Sequence, residues 1–259
     1  MGNFNYNNKI DNFIFDCRWS NNIDQHFIND FLFVQKIVFN SGSLKEFKKQ
    51  FVENIYGVSI IIVVYIYNSP IAARAVWRND VNGKVAYQMG AVCVLPDYRG
   101  RGLFLEMTLR ALRMLPNDAL VYSFPNNNSF PGHRKIGWDV IREYRQRLFI
   151  SYRQYVKEHP TKMDYEYASW WVKGRDFLSV KLHEHYFLIK KDKRAMCFRI
   201  VAEINEKIAS WFPYVKYGFF FYKSEKKTWY NNNLPSSHLV CRNASLQGEI
   251  IPLWKIDAL

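Results

Sequence analysis

The segment at residues 92–104 reads VCVLPDYRGRGLF and carries the strongest structural signal in the chain. It begins with an apolar run that is typical of a buried strand. Pro96 ends that strand, because proline has no N–H to donate to a neighbouring strand. A basic turn with two glycines follows, and leucines then recur at helical spacing. The segment is therefore predicted to run from a buried strand through a glycine-containing turn into a helix.

This turn predicts a binding site for phosphate groups. The first turn of a helix leaves backbone N–H groups without partners, and the helix dipole adds roughly half a positive charge there. Gly100 and Gly102 carry no Cβ, so an anion can approach the backbone closely. Arg99 and Arg101 can add charge-assisted hydrogen bonds. The alternative is an ordinary tight turn with surface arginines, since neither a P-loop nor a dinucleotide-binding fingerprint is present.

The spacing of apolar residues predicts a mixed α/β fold for the first part of the chain. The predicted elements are, in order, helix 27–39, helix 44–55, strand 59–67, strand 71–78, strand 85–95, helix 101–115, strand 119–124, helix 128–136 and strand 140–150. Short turns can join the first three strands as a meander. A helix separates the third strand from the fourth, which suits a parallel pair.

The composition of the chain changes after residue 150, and we predict a domain boundary between residues 151 and 152. The elements predicted beyond it are helix 164–172, strand 186–191, strand 196–203, helix 204–211 and strand 217–222. The sequence shows no internal repeat. The prediction is one domain at 1–151 and a C-terminal α/β domain at 152–259.

The net charge of the 259-residue chain is +13, which fits nucleic acid, a membrane surface or a small polyanion as a partner. The lysines and arginines are scattered, and no nucleic-acid-binding motif is present. We therefore expect no nucleic-acid partner. A phosphorylated small molecule is the favoured ligand.

The cysteines, Cys17, Cys93, Cys197 and Cys241, are too widely spaced for a zinc template, so we expect reduced thiols and no metal. The N-terminus lacks the pattern of a signal peptide. The most apolar run, residues 60–67, is too short to span a bilayer. We expect a cytoplasmic protein without membrane insertion, as a monomer or dimer.

Two stretches resemble the motifs of the GNAT N-acetyltransferase superfamily. Residues 94–103 resemble motif A, [QR]xxGx[GA], with Arg99 in the first place and Gly102 in the fourth. Phe104 stands where glycine or alanine is usual. Residues 126–138 resemble motif B, NxxAxxxYxKxGF. The two motifs stand in the family's order, about a helix and a strand apart, and the likeness covers roughly residues 27–150.

The resemblance implies a mixed, mostly antiparallel sheet with splayed parallel central strands and flanking helices, plus a C-terminal α/β extension. It implies an acyl-CoA, either acetyl-CoA or a short-chain acyl-CoA, as co-substrate, bound by the domain at 1–151. The domain at 152–259 would form the acceptor-substrate side. The cofactor-binding residues that it implies are Val92, Val94, Arg99, Gly100, Arg101, Gly102, Leu103 and Asn126.

The resemblance also implies direct attack of an amine on the thioester, with a side chain that protonates the departing thiolate. His133 occupies the place where the family often has a tyrosine, and Ser129 is a second candidate. The alternative for His133 is a surface histidine. No carboxylate stands at residues 87–90, so the general base would come from the C-terminal half or from a water chain. The cluster at residues 183–185, His-Glu-His, could bind metal on a strand, but a structural or substrate-facing role is favoured.

The finer patterns YRGxGLF and FPNxxSxxxxxKxGW resemble a GNAT branch linked to bacterial surface polysaccharide synthesis. That likeness implies acylation of the amino group of a nucleotide-linked deoxyamino sugar. Other acceptors, such as a protein N-terminus, a lysine or an antibiotic, remain open, as does a non-catalytic CoA-binding protein. Aromatic residues of the second half either line an acceptor site or form a second core; they are Trp170, Trp171, Tyr186, Phe198, Trp211, Tyr217 and Phe219 to Tyr222.

Overall fold

A computed structural model describes residues 13–81, 83–159, 161–225 and 237–242. The chain divides into two compact units. The first comprises Met1–Arg78 and Gln88–Ala119, and the second comprises Asn79–Tyr87 and Leu120–Leu259. This division differs from the domain boundary predicted after residue 151, which remains a prediction.

The first unit has helices on both faces of a β-sheet. Its elements are β1 (Ile14–Trp19), α1 (Gln25–Phe39), α2 (Leu44–Phe47) with a π-helical turn (Lys48–Val52), β2 (Ile60–Ile66), β3 (Ser69–Arg78), β4 (Ala86–Val94, from residue 88 in this unit), a 3₁₀ turn (Pro96–Tyr98) and α3 (Leu103–Met114). The strand order is β1-β2-β3-β4. Both β1 and β3 pair antiparallel with β2.

The side chains of β3 point alternately to the two faces of the sheet, and helices pack on each face. Ala73 and Ala75 belong to the buried cluster that α1 and the π-helical turn cover, and Phe31 and Phe51 meet there edge to face. Arg74 points to the opposite face, because successive strand residues alternate. On that face its side chain contacts Thr108 of α3.

The second unit is also mixed α/β. Its elements are β5 (Leu120–Ser123), α4 (Phe130–Lys135), β6 (Asp139–Leu148), α5 (Tyr152–Glu158), α6 (Tyr165–Tyr167) with a π-helical turn (Ala168–Val172), β7 (Leu178–Leu182), β8 (His185–Lys191), β9 (Cys197–Ile204), α7 (Glu206–Ala209), β10 (Phe219–Ser224) and β11 (Ser237–Arg242). The strand order is β5-β11-β6-β10-β9-β8-β7. The strands pair antiparallel except for β9 and β10, which are parallel.

The predicted fold class, a mixed and mostly antiparallel sheet with some parallel strands and flanking helices, is confirmed. The predicted strands and the long helix α1 lie within a residue or two of the observed elements. The helix predicted at 44–55 is shorter, because regular α-helix ends at Phe47 and a π-helical turn continues it. The helix predicted from Arg101 begins at Leu103, because Gly102 before it is left-handed.

Four elements were not predicted from the sequence: β1, α5, β7 and β11. One prediction about a strand was wrong. His183 and Glu184 do not lie on a strand but form the two-residue turn between β7 and β8, with φ of 48° and 66°. Only His185 of that cluster is in a strand, so the cluster does not present two histidines on one strand face.

The two units share a structural repeat, which is a common order of helices and strands that the sequence does not show. In each unit a short helix with a π-helical turn precedes a tight hairpin, a third strand and another helix. The hairpin turns have similar backbones: Tyr67 and Asn68 have φ of 48° and 63°, close to the values for His183 and Glu184. The helix after the third strand is α3 in the first unit and α7 in the second.

Candidate functional site

The glycine turn (residues 99–103) has the open backbone that close approach of an anion requires. Gly100 and Gly102 have φ of 77° and 78°, a region that L side chains rarely adopt. A Cβ built on either glycine would meet no atom within 4 Å. The space beside both residues is therefore open, and a ligand can reach the backbone there.

The N-terminus of α3 is not neutralised by a cap. The residue before the helix is Gly102, and no side chain among the described residues caps it. The acid of the first turn, Glu106, is engaged further along the helix, where it accepts from Arg110 at 2.8 Å. The leading N–H groups and the positive end of the dipole are thus available to an anion.

The two arginines of the glycine turn are exposed and anchored by backbone carbonyls. Arg99 Nε donates to the carbonyl of Val94 at 3.1 Å. Arg101 donates to the carbonyl of Asp97 at 3.3 Å, and its guanidinium lies over the Tyr98 ring at 5.3 Å. These contacts orient each side chain, and the fork of donors on a guanidinium matches the geometry of a phosphate.

The strand before the turn contains an unusual backbone conformation. Ala91 has a φ of 44°, which costs a non-glycine residue about 1–2 kcal/mol. Val92 and Val94 follow it and are half-buried. At Gly90 a Cβ would lie 2.8 Å from the Trp77 ring, so packing requires glycine there.

The neighbouring thiol does not act as a nucleophile in this environment. Burial raises the pKa of Cys93 to about 12, so the thiolate is rare at neutral pH. Burial likewise raises the pKa of Cys241 to about 12. All four cysteines are free, as the sequence predicted.

Arg74 is a fully buried arginine beside the first turns of α3. It is 0% exposed, donates from Nη1 to Thr108 Oγ1 at 2.8 Å, and lies over the Phe104 ring at 4.9 Å. Burial lowers its pKa to about 9, which still leaves it charged at neutral pH. A single arginine in an apolar strand gives no indication of burial, so Arg74 could not be recognised from the sequence.

In the second unit, Asn126 and Ser129 close the turn that leads into α4. Asn126 Oδ1 accepts from the backbone N–H groups of Asn128 and Ser129 at 3.1 and 3.0 Å. The Ser129 hydroxyl accepts from the Asn126 N–H at 3.1 Å and lies 3.1 Å from Asn126 Oδ1. Both side chains therefore have a local structural role, and their predicted contacts to cofactor or substrate remain predictions.

His133 is a core residue of the second unit. It is 1% exposed, and its ring packs edge to face on Trp138 at 4.9 Å. Its Nδ1 lies 2.9 Å from the carbonyl of Ser129, so this nitrogen carries the hydrogen and donates. The alternative of a surface histidine is excluded. Any proton transfer by this ring has to use Nε2.

A buried carboxylate organises the polar cluster that includes His185. Glu203 is 2% exposed and accepts from Tyr152 at 3.0 Å, His185 Nδ1 at 3.1 Å and Lys162 at 2.7 Å. The rings of Tyr152 and His185 stack at 3.4 Å. In the described ranges, no group of three or more potential ligands could hold a metal ion.

Many aromatic residues of the second half form a core. Tyr155, Phe187, Phe198 and Tyr222 belong to one buried cluster, whereas Phe219 is 62% exposed. Of the aromatic residues singled out in the sequence, Trp171, Phe198, Phe220 and Tyr222 are buried, whereas Tyr217 and Phe219 are exposed. None of the helices in the described part of the chain has the length and apolarity needed to cross a bilayer.

No protein-family model and no curated protein matches the sequence. Solved structures do match the fold. The chain is similar to a GCN5-related N-acetyltransferase from Kribbella flavida, at 10% identity over 88% of this chain and 72% of that one, with a TM-score of 0.50. The fold is that of the GCN5-related N-acetyltransferases.

Two further structures support this fold assignment. A GCN5-related N-acetyltransferase from Anabaena variabilis matches at 13% identity over 88% of this chain and 72% of that one, with a TM-score of 0.50. A protein from Pyrococcus horikoshii matches at 11% identity over 96% of both chains, with a TM-score of 0.52. At such identities the GNAT fold is shared, and the chemistry has to be argued from the residues of this chain.

Proposed function

We propose that the protein is an acyl-CoA-dependent N-acyltransferase. The observation that carries this proposal is the glycine turn: two left-handed glycines with open space beside them, two anchored arginines and an uncapped 12-residue helix. This combination suits a pyrophosphate, and the GNAT fold is the scaffold on which related proteins are named acetyltransferases.

The residues proposed to hold acyl-CoA lie on three segments. Arg99, Gly100, Arg101, Gly102 and Leu103 would bind the pyrophosphate through backbone N–H groups and guanidinium donors. The backbone at Val92 and Val94, just after Ala91 with its φ of 44°, would pair with the pantetheine arm. Asn126 would contact the cofactor while it also closes its own turn.

The chemistry that we propose is direct transfer of the acyl group from the thioester to a neutral amine. A C–N bond forms, the C–S bond breaks, the amine loses a proton and the thiolate gains one. His133 is the proposed proton donor, acting through Nε2, because its Nδ1 is held by the Ser129 carbonyl. Ser129 is the second candidate for this role.

For the acceptor, we propose the amino group of a nucleotide-linked deoxyamino sugar. The finer sequence patterns support this choice. The net charge of +13 also suits a donor and an acceptor that both carry phosphates. Residues 152–259 are the proposed acceptor side, with exposed aromatic side chains such as Tyr217 and Phe219 as surface on which a base or sugar could stack.

Two measurements on the wild-type protein test this proposal. Calorimetry should detect binding of CoA and acetyl-CoA. Thiol release from acetyl-CoA should then be measured with dTDP- and UDP-linked amino sugars, a peptide N-terminus, lysine and an aminoglycoside. Release with the nucleotide sugars supports the full proposal, and release only with another amine keeps the chemistry but replaces the acceptor. CoA binding without turnover of any amine would refute the proposed transferase activity and support a non-catalytic CoA-binding protein.

His133→Phe tests the proposed proton donor. We expect a lower kcat, because a phenyl ring has no nitrogen that can donate a proton. CoA affinity should change little, because the glycine turn is unaltered. The phenyl ring can keep the edge-to-face packing on Trp138. A kcat equal to that of the wild type would remove His133 from the mechanism.

A further inference from the structure

Arg74 is a buried positive charge in the middle of β3. Its side chain is 0% exposed, and no carboxylate among the described residues forms an ion pair with it. Buried charges in proteins are normally paired, because removing an ion from water is strongly unfavourable. Within the described part of the chain, Arg74 is therefore a buried cation that no acidic group compensates.

The guanidinium is also incompletely hydrogen bonded. Nη1 donates to Thr108, but Nε and Nη2 are buried and have no partner among the described residues. Unpaired buried donors are rare in native proteins, and each one calls for an explanation such as a bound ion or water. Here the side chain is oriented, charged and only partly satisfied.

The contacts of Arg74 lead to the start of α3. Thr108 links Arg74 to Phe104, since its hydroxyl accepts from Arg74 and donates to the carbonyl of Phe104 at 2.6 Å. The Phe104 ring covers the guanidinium at 4.9 Å. Phe104 is the second residue of α3 and directly follows the glycine turn. The family motif usually has glycine or alanine at this place. Here the ring of Phe104 packs on the buried guanidinium of Arg74.

We propose that Arg74 is a positioning residue of the anion site, a buried counter-charge that strengthens phosphate binding at the N-terminus of α3. This inference rests on the proposed function. Arg74 acts through the electric field and through the Thr108–Phe104 link, not by contact with solvent-exposed ligand atoms. Buried charges are screened little by salt, so this contribution should persist where that of exposed arginines fades.

The test compares Arg74→Met with the matched control Arg18→Met. Arg18 also carries a positive charge in the first unit, but it is partly exposed, pairs with Asp16 and Asp24, and lies over the Phe27 ring of α1. Calorimetry should measure CoA, inorganic pyrophosphate and S-acetylpantetheine, which lacks the pyrophosphate, at about 50 mM and about 300 mM salt. Thermal unfolding of each variant reports folding.

Arg74→Met should weaken CoA and pyrophosphate binding by about tenfold, the effect of a unit charge at about 10 Å with an effective dielectric constant of about 20. The factor should be similar at both salt concentrations, S-acetylpantetheine should bind as before, and the Tm should be unchanged or higher. Arg18→Met should bind all three ligands as the wild type does.

Unchanged CoA affinity in Arg74→Met, or parallel loss of S-acetylpantetheine, would overturn the inference. If Arg74→Met fails to fold, Arg74→Gln with the same ligands replaces it. A wild-type protein that binds pyrophosphate but not CoA would refute the proposed function while the pyrophosphate arm still tests Arg74. A wild-type protein that binds neither would refute both.

Discussion

Replacement of Gly102 should separate a backbone effect from a binding effect. Gly102 has a φ of 78°, and a Cβ there meets no atom within 4 Å. Gly102→Ala therefore brings no clash, only the left-handed penalty of about 1–2 kcal/mol. The lower entropy of the unfolded alanine chain offsets about 0.4–1 kcal/mol of it. We expect a net loss of about 1 kcal/mol, a Tm decrease of roughly 2–4 °C for a chain of this size.

Gly174 provides a matched control. It has the same φ of 78° and the same open surroundings, but it lies in the second unit. Gly174→Ala should lower the Tm as much as Gly102→Ala and leave CoA binding unchanged. Gly102→Ala should weaken CoA binding by about tenfold through lost close approach, comparable to one hydrogen bond.

Gly102→Glu adds a negative charge to the same position. A carboxylate about 6 Å from a phosphate, at an effective dielectric constant of about 20, opposes binding by about 3 kcal/mol per unit charge, roughly a hundredfold in Kd. Calorimetric titration with CoA measures all three variants. If Gly102→Glu binds CoA as the wild type does, the glycine turn is not the phosphate site. If Gly174→Ala also loses CoA, the effect is one of folding.

Three further predictions concern stability. Gly90→Ala should destabilise the protein by about 1–3 kcal/mol in urea denaturation, because its Cβ would lie 2.8 Å from the Trp77 ring; a wild-type midpoint would show that the ring moves freely. Ala91→Gly should raise the midpoint by relieving the φ of 44°, and a clear decrease would contradict this. Burial and the Glu203 carboxylate raise the pKa of Tyr152 to about 12, so the neutral phenol is favoured in the folded state. Its stabilisation should be present below pH 10 and lost as the pH rises to about 12, and Tyr152→Phe should flatten that part of the stability profile.

The sequence predicted elements well where apolar spacing is strong. The run at residues 60–66 gave a correct strand because most of it is buried, and the helical spacing of the leucines gave α3, which buries Leu103, Met107 and Leu112. The strand β1 was missed because Asp16 and Arg18 interrupt its apolar pattern and bond to each other. The strand β11 was missed because its pairing with β5 and β6 is decided by contacts distant in sequence.

The candidate site was predictable only in part, for a related reason. Glycines between basic residues indicate a left-handed turn with an accessible backbone, so residues 99–103 could be identified from the sequence. Burial of a polar side chain is a tertiary property, so neither Arg74 nor Glu203 could be recognised. The same reason makes His133 look like a surface residue among basic neighbours, although it is 1% exposed.

The structural repeat explains why the pyrophosphate of CoA should bind at α3 of the first unit and not at α7 of the second. At the equivalent place in the second unit, α7 has four residues, and Asn205 caps it by accepting from the Ile208 N–H at 2.9 Å. An acid, Glu206, stands in its first turn, where it accepts from the Tyr186 hydroxyl. A four-residue helix with a capped N-terminus offers few free N–H groups to a phosphate, whereas α3 is long, uncapped and flanked by arginines. Calorimetry should therefore give one CoA per chain, and two equal sites would contradict the contrast between α3 and α7.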